Sequence, residues 1–324
     1  MKHKIFSIQN PEQFKETALE IFQHQAKNNA VYKQYIQFLK INPEKVFSLE
    51  KIPFLPIQFF KNQKIVSNKT QEEIIFTSSG TTKTKQSNHF VTDLTFYTES
   101  YTKGFEQFYG AIEDYVILAL LPSYLERKGS SLIFMIEDFI QKSIYSKSGF
   151  YLNNLQDLHQ ILLQLKQTDK KVLLMGVSFA LLDFVEQFAI NYPKLAVMET
   201  GGMKGRRKEM IREELHTLLK KGFGVDKIHS EYGMTELLSQ AYSKGNGVFQ
   251  CPNWMQFLIR NPEDPFSYLP NHKMGGINVI DLANYNSISF IATDDLGKKI
   301  NHNQYEISGR FDYSDVRGCN LLVL

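Results

Sequence analysis

An α/β fold built on mostly parallel sheets, with a smaller β subdomain, is what this chain of 324 residues predicts, and three observations predict it. Nearly continuous apolar runs recur at 115–121, 171–175 and 195–198, the pattern of strands covered on both faces. Stretches with helical apolar spacing alternate with those runs, so strand, loop and helix repeat along the chain. From residue 247 the texture changes to short alternating segments separated by turn dipeptides such as Asn261, Pro262 and Gly275, Gly276, which reads as β structure. The division expected is 1–246 for an α/β core, 247–308 for a β-rich part of the same unit, and 309–324 for a short tail.

Taken in order, residues 10–40 carry helical spacing in Phe14, Leu19, Ile21, Phe22, Tyr32, Tyr35 and Ile36 with no glycine to interrupt it, and that aromatic stripe reads as a packing face. Pro53 and Pro56 break the pattern, and 57–65 follows as an irregular or edge segment leading into a buried strand at 74–76. Thr92 and Asp93 offer an N-cap for a helix through 108. Further helices are expected at 130–139, 155–165, 179–188 and 206–221. The strand at 171–175 ends at Gly176, that at 195–198 runs into Glu199, Thr200, Gly201 and Gly202, and a fourth at 225–228 leads to residues 229–236. The later strands are expected at 257–259, 276–280 and 288–291. Ligands of parallel α/β sheets collect at the carboxyl ends of strands, so the loops at Ser78, Gly176 and Thr200 are expected to lie together there.

An apolar share of 43% with 22% charged is ordinary for a globular protein. The formal charge of +3 is small and interspersed, which argues against nucleic acid; the basic group Lys204, Arg206, Arg207, Lys208 reads as the solvated start of a helix. No apolar run approaches the roughly 20 residues that cross a bilayer, and the first ten residues lack the apolar core of a signal peptide, so a cytoplasmic setting is the default. Two cysteines, Cys251 and Cys319, make neither a disulfide framework nor a zinc site.

Chemistry concentrates first at 74–88. The apolar residues Ile74, Ile75, Phe76 stop abruptly at Thr77, Ser78, Ser79, Gly80, Thr81, Thr82, Lys83, Thr84, Lys85. Hydroxyls and free backbone N–H groups donate to an anion, Gly80 allows close approach, and Lys83 and Lys85 add positive charge. The lysine stands three residues after a lone glycine, so the loop is not of the Walker A type. By itself it also reads as a polar surface loop.

Three later stretches join it: Tyr232, Gly233, Met234, Thr235, Glu236; then Thr293, Asp294; then Gly309, Arg310, Asp312. In their order and rough spacing over 74–312 the four together resemble the adenylate-forming superfamily of acyl-CoA synthetases, luciferases and peptide-synthetase adenylation domains. The resemblance implies ATP and Mg²⁺ as cofactors and a small-molecule carboxylic acid as substrate. It implies that Ser78, Ser79, Thr81, Thr82 and Lys83, in the loop that opens at Thr77 and turns at Gly80, hold the β- and γ-phosphates. Thr235 would bond the α-phosphate and Glu236 would hold Mg²⁺. Tyr232, Gly233 and the neighbouring Met234, with the Gly201 and Gly202 turn, would line adenine. Asp294 would accept from the ribose hydroxyls and Arg310 would place a cation near ribose and phosphate. Each has a plain alternative: Glu236 as an acid at a helix start, Asp294 as a turn residue, Arg310 as half of a surface ion pair. For the acyl pocket the apolar candidates are Phe179, Leu181, Leu182, Met203 and the strand at 115–121, residues that core packing would also select, and His89 and His229 could position the carboxylate.

Within that superfamily the chain is most similar to the acyl-protein synthetases of bacterial luminescence fatty acid reductase complexes, in its length, in Leu121, Pro122, Ser123, Tyr124 with Ser130, Ser131, and in Val316, Arg317, Gly318, Cys319. Typical adenylating enzymes continue into a mobile domain after the Gly-Arg-x-Asp element; in this sequence twelve residues follow Asp312. The closer resemblance implies a fatty acid activated as acyl-AMP, passed to a protein cysteine here matched by Cys319, and then to a reductase subunit. A thiolate is a competent acceptor, and Arg317 could lower its pKa. The nine steps from Arg310 to Cys319 reach about 30 Å when extended. Cys319 also reads as a small apolar residue of a final strand, and Cys251 as structural. Two rival readings stay open, a truncated acyl- or aryl-CoA ligase and a nucleotide- or acyl-binding module without catalysis. The Cys319→Ala protein, given labelled acid and ATP, is expected to keep forming adenylate and to lose covalent labelling; CoA thioester formation by the same variant points to the CoA ligase.

Overall fold

The computed structural model describes residues 1–67, 70–78, 85–121, 129–151, 154–201 and 210–311. The N-terminal helices are α1 (Lys2–Phe6), α2 (Pro11–Asn28) and α3 (Ala30–Phe38). The helical pattern of 10–40 is therefore two helices. Asn29 divides them: its side chain accepts from the Tyr32 N–H to cap α3, and its amide donates to the Ser287 carbonyl at 2.9 Å.

Strand β1 (Leu55–Pro56) and the single turn α4 (Phe59–Asn62) occupy what reads in sequence as irregular chain. The strands β2 (Ile74–Thr77) and β3 (Asn88–Val91) form a separate antiparallel hairpin, with Phe76 opposite His89 and Thr77 opposite Asn88. The expectation of a buried strand at 74–76 needs correction, because Phe76 is buried and Ile75 is exposed. A hairpin has one covered face, and Phe76 covers it against Tyr97 and Phe134, with ring centroids 5.3 and 5.8 Å away.

Next come α5 (Thr95–Tyr109), β4 (Tyr115–Leu120), α6 (Ser131–Lys142), β5 (Gly149–Phe150), α7 (Leu155–Lys166), β6 (Lys171–Val177), α8 (Ser178–Gln187), β7 (Ala196–Thr200), α9 (Arg212–Phe223) and β8 (His229–Tyr232). Strands β5, β4, β6, β7 and β8 lie side by side and parallel. The sheet then turns antiparallel through β9 (Ala241–Ser243), β10 (Val248–Gln250), β14 (Gln304–Arg310), β13 (Phe290–Asn301), β12 (Gly275–Asp281) and β11 (Met255–Arg260), with β1 attached parallel to β13. The fold is thus α/β with one large mixed sheet, and strands from 247 onward continue the sheet begun by the parallel strands.

Two sequence expectations shift. The fourth parallel strand lies at His229–Tyr232 and not at 225–228: Val225 and Ile228 are buried packing residues, while the ladder with β7 is made by the polar residues that follow. Gly176 is inside β6 and is not a loop residue; a Cβ there would stand 2.8 Å from Leu181 Cδ2, so its lack of side chain lets α8 close onto the strand.

Residues 233–240 belong to no strand or helix, and buried backbone polar groups there need partners from elsewhere. Asp281, at the end of β12, supplies two of them. Its carboxylate accepts from the N–H groups of Leu238 and Ser239 at 2.8 and 2.9 Å, from the Ser239 hydroxyl at 2.5 Å and from the Ala283 N–H at 3.1 Å. Burial pushes the Asp281 carboxyl up to about 6 against the pull of those hydrogen bonds. Asp281→Ala strands several buried donors at once, and is expected to lower unfolding free energy in urea by about 3 kcal/mol or more; a loss under about 1 kcal/mol would show that the loop holds itself.

Candidate functional site

A cavity of about 530 Å³ opens where the hairpin, the ends of β7 and β8, and strands β13 and β14 meet. Of the residues singled out in the sequence, Thr77, Ser78, Gly201, Gly233, Met234, Thr235, Glu236, Asp294 and Arg310 line it. Tyr232 stands beside it, its hydroxyl donating to Asp295 Oδ2 at 2.6 Å. Ser79, Gly80, Thr81, Thr82, Lys83, Gly202 and Cys319 lie outside the described residues.

The hairpin delivers its hydroxyls in fixed positions. Thr77 N–H donates to the Gly129 carbonyl at 2.8 Å, Ser78 N–H to the Ser87 carbonyl at 3.1 Å, and Ser87 N–H returns a bond to Ser78 Oγ at 2.9 Å. At the end of β7, Gly201 adopts φ of 67°, a left-handed conformation that glycine takes without strain, and its carbonyl accepts from Ser178 Oγ at 2.7 Å. Gly233 is needed for a different reason. A Cβ there would stand 2.4 Å from Glu231 Oε1, so a side chain at 233 would displace that carboxylate oxygen from its present position.

The segment 233–240 is gripped from three sides. Asp281 holds Leu238 and Ser239 as described, Asn284 Nδ2 donates to the Glu236 carbonyl at 2.8 Å, and His89 Nδ1 donates to the Thr235 carbonyl at 2.9 Å. His89 Nε2 stands 3.0 Å from Ser287 Oγ. The neutral tautomer with its proton on Nδ1 satisfies both contacts, since a carbonyl can only accept. Glu236 itself is buried, and burial raises its carboxyl above the usual range, opposed by a hydrogen bond with Ser87 and by the charge of Arg310.

On the opposite wall the adjacent acids Asp294 and Asp295 point to different faces of β13, as alternation requires. Asp294 Oδ1 accepts from Gln58 Nε2 at 2.6 Å. Asp295 accepts from Tyr232 and also from Arg310 Nε, at 3.1 Å. Sequence reasoning chose Asp294 and missed Asp295, although the alternation of buried Thr293 and Asp295 with Asp294 between them carried the signal. It also missed Lys61, Ile57, Glu231 and Gln240, all in the cavity wall. Lys61 and Ile57 come from the short segment that has no periodicity to read.

Among the described residues, the acyl-pocket candidates do not line this cavity. Phe179, Leu181 and Leu182 are core residues of α8 and, like the β4 strand, are absent from the cavity wall; Met203 lies outside the described residues. His229 bonds Tyr109 through Nδ1 at 3.2 Å, and neither it nor His89 lines the cavity. Cys251 is fully buried, and burial pushes its thiol well above the usual range, as for a structural cysteine.

The set can hold anions and a hard cation. Lys61, Lys85 and Arg310 supply positive charge, Thr77, Ser78 and Ser87 supply hydroxyls, and Ser87 hydrogen-bonds the Glu236 carboxylate. Among the described residues no group of three or more His, Cys, Asp or Glu could hold a metal ion. One buried carboxylate nonetheless suits Mg²⁺, which takes one or two protein oxygens and fills its remaining positions with phosphate and water. Among the same residues no helix is long and apolar enough to cross a membrane.

The α/β fold matches that of a solved CoA ligase. Among solved structures, 2-hydroxyisobutyryl-CoA ligase in an open conformation, in complex with 2-HIB-AMP and CoA, matches over 93% of this chain and 70% of its own, at 10% identity and a TM-score of 0.68. The same enzyme in the postadenylation state with 2-HIB-AMP matches 93% of this chain and 68% of its own, at 12% identity and a TM-score of 0.69. ATP-bound MatB from Rhodopseudomonas palustris matches 73% of this chain and 47% of its own, at 14% identity and a TM-score of 0.53. No family model and no curated protein matches the sequence.

Burial pushes His89 down to about 4. The folded value lies below the unfolded one, so its contribution is complete above a pH of about 6.5 and is lost as pH falls toward 4, an effect of about 3 kcal/mol. The stability of wild type over His89→Gln, measured by urea unfolding, is expected to shrink as pH is lowered through that window; a constant gap would contradict a buried neutral imidazole.

Proposed function

We propose that this chain belongs to the adenylate-forming superfamily and activates a carboxylic acid with ATP, giving an acyl adenylate and pyrophosphate. The observation that carries the reading is convergence. Stretches far apart in sequence, each selected for nucleotide chemistry, meet in one cavity whose wall supplies hydroxyls, three cations and a buried carboxylate. Complexes with ATP or an acyl adenylate among proteins of the same fold support it.

In the reaction a carboxylate oxygen attacks the α-phosphorus, the bond to the β-phosphoryl oxygen breaks, and pyrophosphate leaves with the electron pair. Thr77 and Ser78, held by the Gly129 and Ser87 carbonyls, face the leaving phosphates together with Lys85. The Thr235 hydroxyl meets charge developing at the α-phosphate, and its backbone cannot retreat because His89 and Asn284 hold the carbonyls of 235 and 236. Donors fixed in advance are worth more than mobile ones because they need not reorganise as charge moves. Asp294 takes the ribose hydroxyls, Gly201, Gly233, Met234 and Tyr232 shape the adenine side, and Arg310, anchored on Asp295, lies between ribose and phosphate. Glu236 would hold Mg²⁺, whose chemistry there is neutralisation of phosphate charge.

A thiol sulfur then attacks the acyl carbonyl carbon, gives up its proton, and AMP leaves as the thioester forms. The resemblance to acyl-protein synthetases makes that thiol Cys319, with onward transfer to an acceptor protein or reductase subunit in the cytoplasm. A second reading, transfer to CoA, is favoured by the CoA complex of the similarly folded ligase. Thr235→Val and Glu236→Gln are each expected to lower acid-dependent pyrophosphate exchange by about 10²–10³-fold. Exchange that survives both substitutions, or that never depends on an added acid, would remove the adenylating reading.

A further inference from the structure

Glu231 is a carboxylate that the proposed chemistry leaves without a task. It is 7% exposed, lies on the face of β8 opposite Tyr232, and lines the cavity. Its Oε2 accepts from the Thr200 hydroxyl. Its Oε1 stands over Gly233, the residue whose missing side chain leaves that oxygen room. Among the described residues no lysine, arginine or histidine pairs with it.

Its partners differ from those of Glu236, the carboxylate given to the metal. Glu236 is acted on by Ser87, Arg310 and Asp295. Glu231 is acted on by Thr200 and by the neighbouring carboxylate Glu199, and its own charge is felt by Tyr97 and Tyr242. Glu199 is turned away from the cavity, toward Arg212 and His216, each 3.6 Å distant, so it gives Glu231 no partner. Thr200, whose hydroxyl donates to Glu231, and Tyr97, which feels its charge, line the same cavity. Burial, with Glu199 adding to it, pushes the carboxyl up to about 7, so it is poised between charged and neutral forms.

A hydrocarbon chain laid against this carboxyl would cut it off from water and offer nothing in exchange, a cost that grows if the group is charged. A hydroxyl or an ammonium in the same place would donate to Oε1 and remove the cost. A site built to receive a hydrogen-bond donor discriminates strongly against the analogue that lacks one.

We propose that Glu231 determines which acid is accepted, selecting acids that carry a hydroxyl or ammonium group over plain hydrocarbon acids. The inference rests on the reading of the cavity as an acid-activating site, and it names a polar acid where the resemblance implies a fatty one.

The test is calorimetric titration of the full chain, with α,β-methylene-ATP present, using hexanoate against its ω-hydroxy, ω-amino, α-hydroxy and α-amino counterparts. At least one donor-bearing acid is expected to bind about tenfold or more tighter than hexanoate, the worth of one hydrogen bond to a charged group. That ratio is expected to fall toward one in Glu231→Gln, which keeps the side chain's shape, and to invert in Glu231→Leu. A ratio divides out any general loss of folded protein. Equal or tighter binding of hexanoate by wild type, no binding by any donor-bearing acid, or a ratio unchanged in both variants would overturn the proposal. So would a Glu231→Gln effect confined to ATP against ITP, which would give the carboxylate to the adenine amino group. Pyrophosphate exchange run in parallel separates the two readings: donor preference without exchange supports Glu231 as a selector and removes adenylation, whereas exchange with an unchanged ratio does the reverse.

Discussion

The chain from Gly233 to Gln240 has no ladder or helix of its own, and its shape depends on side chains that reach it from other parts of the fold. Asp281 is the strongest of these grips. A carboxylate this deeply buried is costly unless donors surround it, and the donors here are the backbone and hydroxyl groups of the loop itself. Asn284 and His89 hold the two carbonyls just upstream. The support continues outward. Gln25 of α2 donates to the carbonyls of Asn284 and Tyr285, and Asn29 donates to that of Ser287, the residue whose hydroxyl faces His89. The N-terminal helices thereby stiffen a loop more than two hundred positions away in sequence.

That rigidity matters because the cavity holds opposite charges at close quarters. Arg310 is tied to Asp295, Asp295 also takes the Tyr232 hydroxyl, and Asp294 on the other face of the same strand is held by Gln58. The hairpin brings hydroxyls and Lys85, and the short turn α4 brings Lys61. Fixed donors and fixed charges of this kind stabilise developing charge without reorganising, and they are what the proposed phosphate chemistry requires. Glu231 takes no part in these hydrogen bonds; it accepts from Thr200 and stands near Glu199, and the proposal above gives it the choice of the acid.

Much of this was legible in the sequence where local pattern decides structure. The buried runs at 115–121 and 171–175 are strands, the periodic stretches at 155–165 and 179–188 are helices, and Thr77 and Ser78 of the hydroxyl-rich segment line the cavity. Failures occurred where tertiary context overrides pattern. The strand at His229–Tyr232 is polar because ladders on both sides and buried partners satisfy it, so apolar content pointed four residues too early. Phe179 and Leu181 were read as pocket residues because packing and ligand binding favour the same side chains. Lys61 and Ile57 come from a segment without periodicity, positioned by a two-residue bridge to β13 that no local signal announces. Glu231 was passed over because nothing in its neighbours reveals that no cation among the described residues pairs with it.

The central claim is that the hairpin, the loop after β8 and the strands β13 and β14 surround one acyl adenylate. A crystal structure of the chain with a non-hydrolysable acyl sulfamoyl adenosine tests it most directly. The expected result has the ribose hydroxyls within hydrogen-bond distance of Asp294, the sulfamoyl group beside Thr235, and the acyl group toward Glu231 and Thr200. A compound seated elsewhere on the chain, or one that leaves this cavity empty at saturating concentration, would contradict it.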